Sequence, residues 1–125
     1  FAIYDTMRFI QPEIRIVCTG LAASIATIIL LGAPKEQRLA MPNTKLLIHQ
    51  VYIPGVVRGQ ASDLEITAKD LLKTRDRINE LYAEETGQPI ERIAKDTNRD
   101  YWMTAEEAVE YGLISRIVSS RADLD

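Results

Sequence analysis

The chain has one cysteine, one histidine and one tryptophan among its 125 residues. A single cysteine excludes an intramolecular disulfide and fits a reducing compartment. One cysteine and one histidine also exclude the usual zinc sites, which draw most of their ligands from these two residue types, so no metal is expected. Basic residues are outnumbered: 15 Lys and Arg against 18 Asp and Glu give a net charge of −3. Nucleic acid and anionic membrane surfaces call for a basic excess, so neither is an expected partner. No uninterrupted apolar run approaches the roughly 20 residues of a membrane span. The N-terminus lacks the charged region and apolar core of a signal peptide. There is no repeat, low-complexity tract or linker. The balance of 46% hydrophobic and 26% charged residues suits one domain over residues 1–125 with a single core. The chain opens at Phe1 rather than Met, which suggests a piece of a longer protein.

Strand and helix patterns alternate, which indicates an α/β layered domain. Ile3, Met7 and Ile10 recur at helical spacing, and Pro12 ends that helix. Ile14 to Gly20 (IRIVCTG) reads as a buried strand. A Gly-Leu-Ala-Ala turn follows, and a helix runs from near Ser24 to a C-terminal cap at Gly32. Arg38–Met41 and Lys45–Gln50 read as strands, and Val51–Gly59 as a loop. A long helix over Ala61–Thr86, closed by Gly87, has Leu64, Ala68, Leu71, Ile78 and Tyr82 as its apolar stripe. Arg75 interrupts that stripe and Ile66 lies on the opposite face. Pro89 opens a short helix. Thr104 to Glu107 form a capping box for a helix ending at Gly112, and Leu113–Ser119 is a last strand.

The long helix is out of proportion to the domain. About 26 residues at 1.5 Å each give roughly 39 Å. A domain of this size has a radius of gyration of about 14 Å, hence a diameter near 36 Å. The helix is expected to project, with Ile66 placed to meet another subunit.

Three residue types could carry chemistry. Ser24 sits between a strand and an apolar helix, among small neighbours. There it either caps the helix or acts as a nucleophile, with the backbone N–H of Ile25 as an oxyanion donor. His49 is the only imidazole and stands where a strand meets a loop, a usual place for catalytic groups and also for a structural histidine. An acid that orients the histidine could be Asp96 or Asp100, between which local rules do not choose. Cys18, inside a strand pattern, reads as core.

Five motifs in order resemble one family. They are Ala22-Ala23-Ser24; Pro42-Asn43 with Ile48-His49-Gln50; Gly59-Gln60-Ala61 through Lys69; Asp96-Thr97 with Arg99-Asp100; and Ala105 through Leu113. Ile3 to Met7 (IYDTM) fits as well. Together they span nearly the whole chain and resemble the proteolytic subunits of the Clp protease. The resemblance implies a crotonase-like α/β fold with a projecting handle helix over about residues 51–87, and an upstream segment of the family fold that lies outside this chain. It implies a serine endopeptidase that degrades unfolded polypeptides inside two stacked seven-membered rings. An AAA+ unfoldase would feed it and would use the ATP, so no cofactor is expected in this chain. Ser24 matches the nucleophile, His49 the general base and Asp100, directly after the arginine, the orienting acid. Ile66 and Arg99 match inter-ring positions. The expected location is the cytoplasm of a bacterial cell, with an organelle matrix or stroma as the alternative.

The sequence departs from the family pattern at several points. Ile25-Ala26-Thr27 replaces Met-Gly-Ala after the serine, which leaves a backbone N–H role intact. The loop after His49-Gln50 is two residues longer. Asn98 stands where an acid is frequent, which removes an inter-ring ion pair. Two other readings follow: a non-catalytic ring subunit partnering an active paralogue, and a crotonase-type acyl-CoA enzyme working without a serine triad. The co-occurrence of Ser24, His49 and Asp100 speaks against both.

Overall fold

Gly20, at φ +65°, ends the strand expected over Ile14–Gly20 and turns the chain from one sheet into another. In the computed structural model, which describes residues 1–50 and 58–125, β1 (Ile16–Cys18) precedes this turn and β2 (Leu21–Ala23) follows it. β1 pairs in parallel with β3 (Arg38–Ala40), and β3 with β6 (Arg116–Ile117). β2 pairs in parallel with β4 (Lys45–Ile48), which pairs antiparallel with β5 (Tyr101–Thr104). The expected Gly-Leu-Ala-Ala turn is thus a strand. Its partner lies far along the chain, and the bond from Lys45 N–H to the Gly20 carbonyl at 2.9 Å sets it in place. The last strand is confined to Arg116–Ile117, and among the described residues β3 is its one neighbour.

The helices keep most of their expected punctuation. α1 (Ala2–Phe9) buries Tyr4 rather than the Ile3–Ile10 face: Ile3 is 57% exposed and Ile10 lies beyond the helix. α2 (Ile25–Leu30) stops before Gly32, which is not a left-handed cap. A Cβ there would lie 2.8 Å from the Met7 sulfur of α1, so a larger residue would push that flexible side chain aside. α3 (Ala61–Thr86) closes on Gly87 at φ +78°, and α4 (Ile90–Thr97) follows Pro89. α5 (Ala105–Tyr111) carries the expected Thr104–Glu107 capping box and ends on Gly112 at φ +97°. Residues 51–57, which hold most of the expected loop and the start of the expected 51–87 handle, lie outside the described residues.

The core lies between the sheets and α2, α5 and the end of α3, with Leu30, Leu31, Leu46, Ile48, Leu81 and Tyr82 almost fully buried. One cation joins it. Arg38 is 0% exposed, donates to the carbonyls of Ala33 and Leu31, and pairs with Glu85 of α3. α3 departs from an ordinary packed amphipathic helix. No residue from 61 to 78 is buried, and Leu64 and Ala68 of the apolar stripe are exposed. Packing begins at Asn79 and runs through Leu81, Tyr82 and Thr86. Among the described residues no helix is long and apolar enough to cross a membrane.

Candidate active site

Ser24 is the only non-glycine residue with positive φ among the described residues, at φ 59° and ψ −117°. Such a backbone costs about 1–3 kcal/mol and persists only where its surroundings enforce it. Here both flanking peptide groups are tied. The Ser24 N–H donates to the Leu47 carbonyl at 3.1 Å, which extends the β2–β4 pairing by one residue. The Ser24 carbonyl accepts the Thr27 N–H at 3.0 Å and the Thr27 hydroxyl at 2.6 Å. The serine side chain makes no capping hydrogen bond to α2, so the plain helix-cap reading fails. Ser24 is half-buried on a sharp strand-to-helix turn, which leaves its hydroxyl uncommitted to the helix. Ile25 follows as the first residue of α2, its side chain 66% exposed, with an amide that has no acceptor inside the helix.

His49 follows the last residue of β4 and is half-buried. Its Nδ1 lies 2.6 Å from the Gln50 carbonyl. A carbonyl only accepts, so Nδ1 carries the proton of the neutral ring and Nε2 holds the basic lone pair. Asp100 directly precedes β5, whose Tyr101 pairs with Ile48. One step further along the same antiparallel register, His49 and Asp100 oppose each other. Since Ala23 pairs with Leu47, Ser24 leaves its strand at the same end. Three adjacent strands, β2, β4 and β5, thus bring Ser24, His49 and Asp100 to one edge of one sheet.

Gln50 fastens that edge. Its N–H donates to the Thr97 carbonyl at 2.6 Å and its side-chain amide to the Asn98 carbonyl at 3.1 Å. The segment leading to Asp100 is held against the end of β4 by these two bonds. Asp96 is engaged elsewhere: it accepts the Tyr111 hydroxyl at 2.7 Å and pairs with Arg92 at 3.4 Å. Burial, and then the neighbouring Asp96 carboxylate, push the Tyr111 phenol above its ordinary range. Cys18 is buried and its thiol is pushed up to about 11 by burial, which suits a core side chain and not a nucleophile. Arg99 and Ile66 are both exposed, Ile66 on α3 and Arg99 in the bend between α4 and β5.

Two contributors were not singled out from the sequence. Thr27 is a hydroxyl inside the otherwise apolar run IATIILL, and a buried hydroxyl requires a partner. That demand was the available signal, and its answer is the Ser24 carbonyl. Gln50 gave no local signal beyond its place after His49, because its partners lie nearly 50 residues away. A hydroxyl on a strained turn, an imidazole whose Nδ1 holds the proton and whose Nε2 carries the lone pair, and a carboxylate at one sheet edge are the parts used in acyl transfer.

The Clp protease family matches residues 1–121 of the chain. The chain is 51% identical over 123 residues to the ATP-dependent Clp protease proteolytic subunit 3 of Rhizobium etli, across 98% of this chain and 62% of that protein. It is 50% identical to the protein of that name from Rhizobium meliloti and 49% identical to that from Rhizobium johnstonii, with the same coverage. The chain thus spans 62% of the length of these relatives. With a match running almost from end to end, the chain belongs to the Clp protease family.

Proposed function

We propose that this chain is the catalytic part of an ATP-dependent Clp protease proteolytic subunit, a serine endopeptidase acting on unfolded polypeptides. The observation that carries this reading is the convergence of Ser24, His49 and Asp100 on the edge of the β2–β4–β5 sheet. The Ser24 hydroxyl attacks the scissile carbonyl while His49 Nε2 takes its proton. The Ile25 N–H holds the developing oxyanion. His49 then gives the proton to the leaving amine, and an acyl-enzyme on Ser24 remains. Water, activated by the same imidazole, releases the acid. Asp100 orients His49 and stabilises its charged form.

The subunit works in two stacked heptameric rings of crotonase-like protomers, fed by an AAA+ unfoldase that hydrolyses ATP. α3, unburied as far as residue 78, supports a handle that meets the opposite ring through Ile66, with Arg99 contributing beside it. The expected setting is the bacterial cytoplasm. The test is turnover of a fluorogenic peptide and of unfolded casein by the full-length assembled protein. Ser24→Ala and His49→Ala should each abolish turnover almost entirely, since triad members act as a unit. Asp100→Asn should lower kcat by about 10⁴.

A second reading, a non-catalytic ring subunit, draws on one observation. Nδ1 of His49 lies on a neutral carbonyl, which stabilises an imidazolium less than a carboxylate does. Turnover unaffected by Ser24→Ala, in particles where this chain assembles with an active paralogue, would favour it.

A further inference from the structure

We propose that Thr27 and Tyr82 are positioning residues that orient the Ser24–Ile25 peptide group, and with it the oxyanion-binding N–H of Ile25. The inference rests on the reading of Ser24 as nucleophile given above.

Thr27 is 0% exposed in α2, and Tyr82 is 1% exposed near the end of α3. The Thr27 hydroxyl donates to the Ser24 carbonyl at 2.6 Å and is also hydrogen-bonded to the Tyr82 hydroxyl. A threonine hydroxyl has one proton. That proton is given to the Ser24 carbonyl, which can only accept, so Tyr82 must donate to Thr27. The result is a directed relay: the phenol donates to the threonine, and the threonine donates to the serine carbonyl. Burial pushes the Tyr82 phenol up to about 12, so the first donor keeps its proton at any neutral pH.

The carbonyl of Ser24 and the N–H of Ile25 belong to one planar trans peptide group. They point in opposite directions from it. Whatever fixes the direction of the carbonyl therefore fixes the direction of the N–H. The Ser24 amide is held from the other side by Leu47, so the turn at φ 59° is determined at both ends. Without the relay, the peptide group can rock about its flanking bonds. A donor displaced by about 1 Å from where negative charge develops can cost as much as 10²-fold in rate. The relay also joins the site to α3 through Tyr82.

Thr27 stands inside the apolar run IATIILL, and among the described residues no buried side-chain polar atom lacks a hydrogen-bond partner. Removal of either hydroxyl leaves its neighbour without its bond in a site closed to water.

The experiment uses the full-length assembled protein and a peptidyl fluorophosphonate, with steady-state hydrolysis of a fluorogenic peptide in parallel. Thr27→Val should lower both kcat and the first-order acylation rate by about tenfold, a fraction of the 10²–10³ that a whole oxyanion donor supplies. KM and the reversible inhibitor constant should stay within about twofold, because the N–H is used mainly in the transition state. Thr27→Ser should restore the rate. Tyr82→Phe should lower kcat by a smaller factor, and the double variant should be no slower than Thr27→Val alone, because the two bonds act in series. A Thr27→Val protein with wild-type kcat, or a loss that Thr27→Ser does not restore, would overturn the relay while leaving Ser24 as nucleophile. Where Thr27→Val does not assemble, Tyr82→Phe decides: unchanged kcat overturns the relay. No acylation of Ser24 in the wild-type particle would overturn the peptidase reading and the relay together.

Discussion

The backbone N–H of Ser24 donates to the carbonyl of Leu47 at 3.1 Å, two residues before His49. The serine and the histidine are therefore spaced by main-chain pairing and not by side-chain contact alone. The same sheet sets Asp100, since β5 pairs with β4 as far as Tyr101 and Ile48. The rigid elements fix the separation of the three positions, and the residues around them fix the rotamers.

Gln50 is the first of these. Its side chain bonds the Asn98 carbonyl at 3.1 Å on the protein surface. Gln50→Ala should lower kcat for a small peptide several-fold by loosening the approach to Asp100. It should cost no more than about 1 kcal/mol of stability, the usual net value of one hydrogen bond. Steady-state kinetics beside thermal unfolding separates the two effects. A wild-type kcat would mean that the Gln50 N–H bond to Thr97 suffices.

Ser24 itself should carry a measurable strain. Glycine adopts positive φ without the Cβ penalty, so Ser24→Gly should be more stable than Ser24→Ala by about 1 kcal/mol. Both variants should be inactive under the proposed role of Ser24, which makes unfolding by denaturant the readout. Equal midpoints would show that the turn at φ 59° is relaxed.

Alkaline pH should destabilise the fold. Cys18 is pushed up to about 11 and Tyr82 to about 12 by burial. Below about pH 8 both groups are largely protonated whether the chain is folded or unfolded. Between the unfolded and folded values the unfolded chain has lost protons that the folded one retains, so stability falls as pH rises from about 8 to 12. Tyr82→Phe should flatten the upper part of this decline, in denaturation midpoints measured across the range. An unchanged slope would contradict the assignment.

The proposed handle role of α3 predicts that changes on it alter assembly. Ile66 is 66% exposed there. Ile66→Asp should split double rings into single rings or smaller species, read by native mass spectrometry. Asn98→Glu should do the opposite, since a charge-assisted bond to Arg99 contributes about 1.5–3 kcal/mol against roughly 1 for a neutral one. The gain should show in sedimentation across a dilution series at low salt and fade at high salt. Unchanged mass with Ile66→Asp would remove Ile66 from the interface.

Features set by neighbours in sequence were legible before the fold was known. The Thr104–Glu107 box forms with reciprocal 3.1 Å bonds, and Gly87 and Gly112 close their helices at positive φ. Features set by distant partners were not. β2 and β5 are three and four residues long, too short for alternation to register, and β4 makes them strands. Arg38 carries no sign of burial in sequence beyond its place in a strand, yet Glu85, 47 positions on, and two carbonyls allow it to be fully buried. In the site, motif order singled out Ser24, His49 and Asp100, and strand register sets them at one end of the β2–β4–β5 sheet. The positive φ of Ser24 was not, because serine is also a favoured helix cap. Only the pairing with Leu47 and the bonds from Thr27 reveal that the residue is held open.

The most direct measurement is peptide mapping of the full-length assembled protein after treatment with a fluorophosphonate. The expected result is one adduct, on Ser24, that is lost in His49→Ala particles of the same mass. A correctly assembled wild-type particle with no adduct on Ser24, or with equal labelling when His49 is replaced, would contradict a histidine-activated serine at this sheet edge.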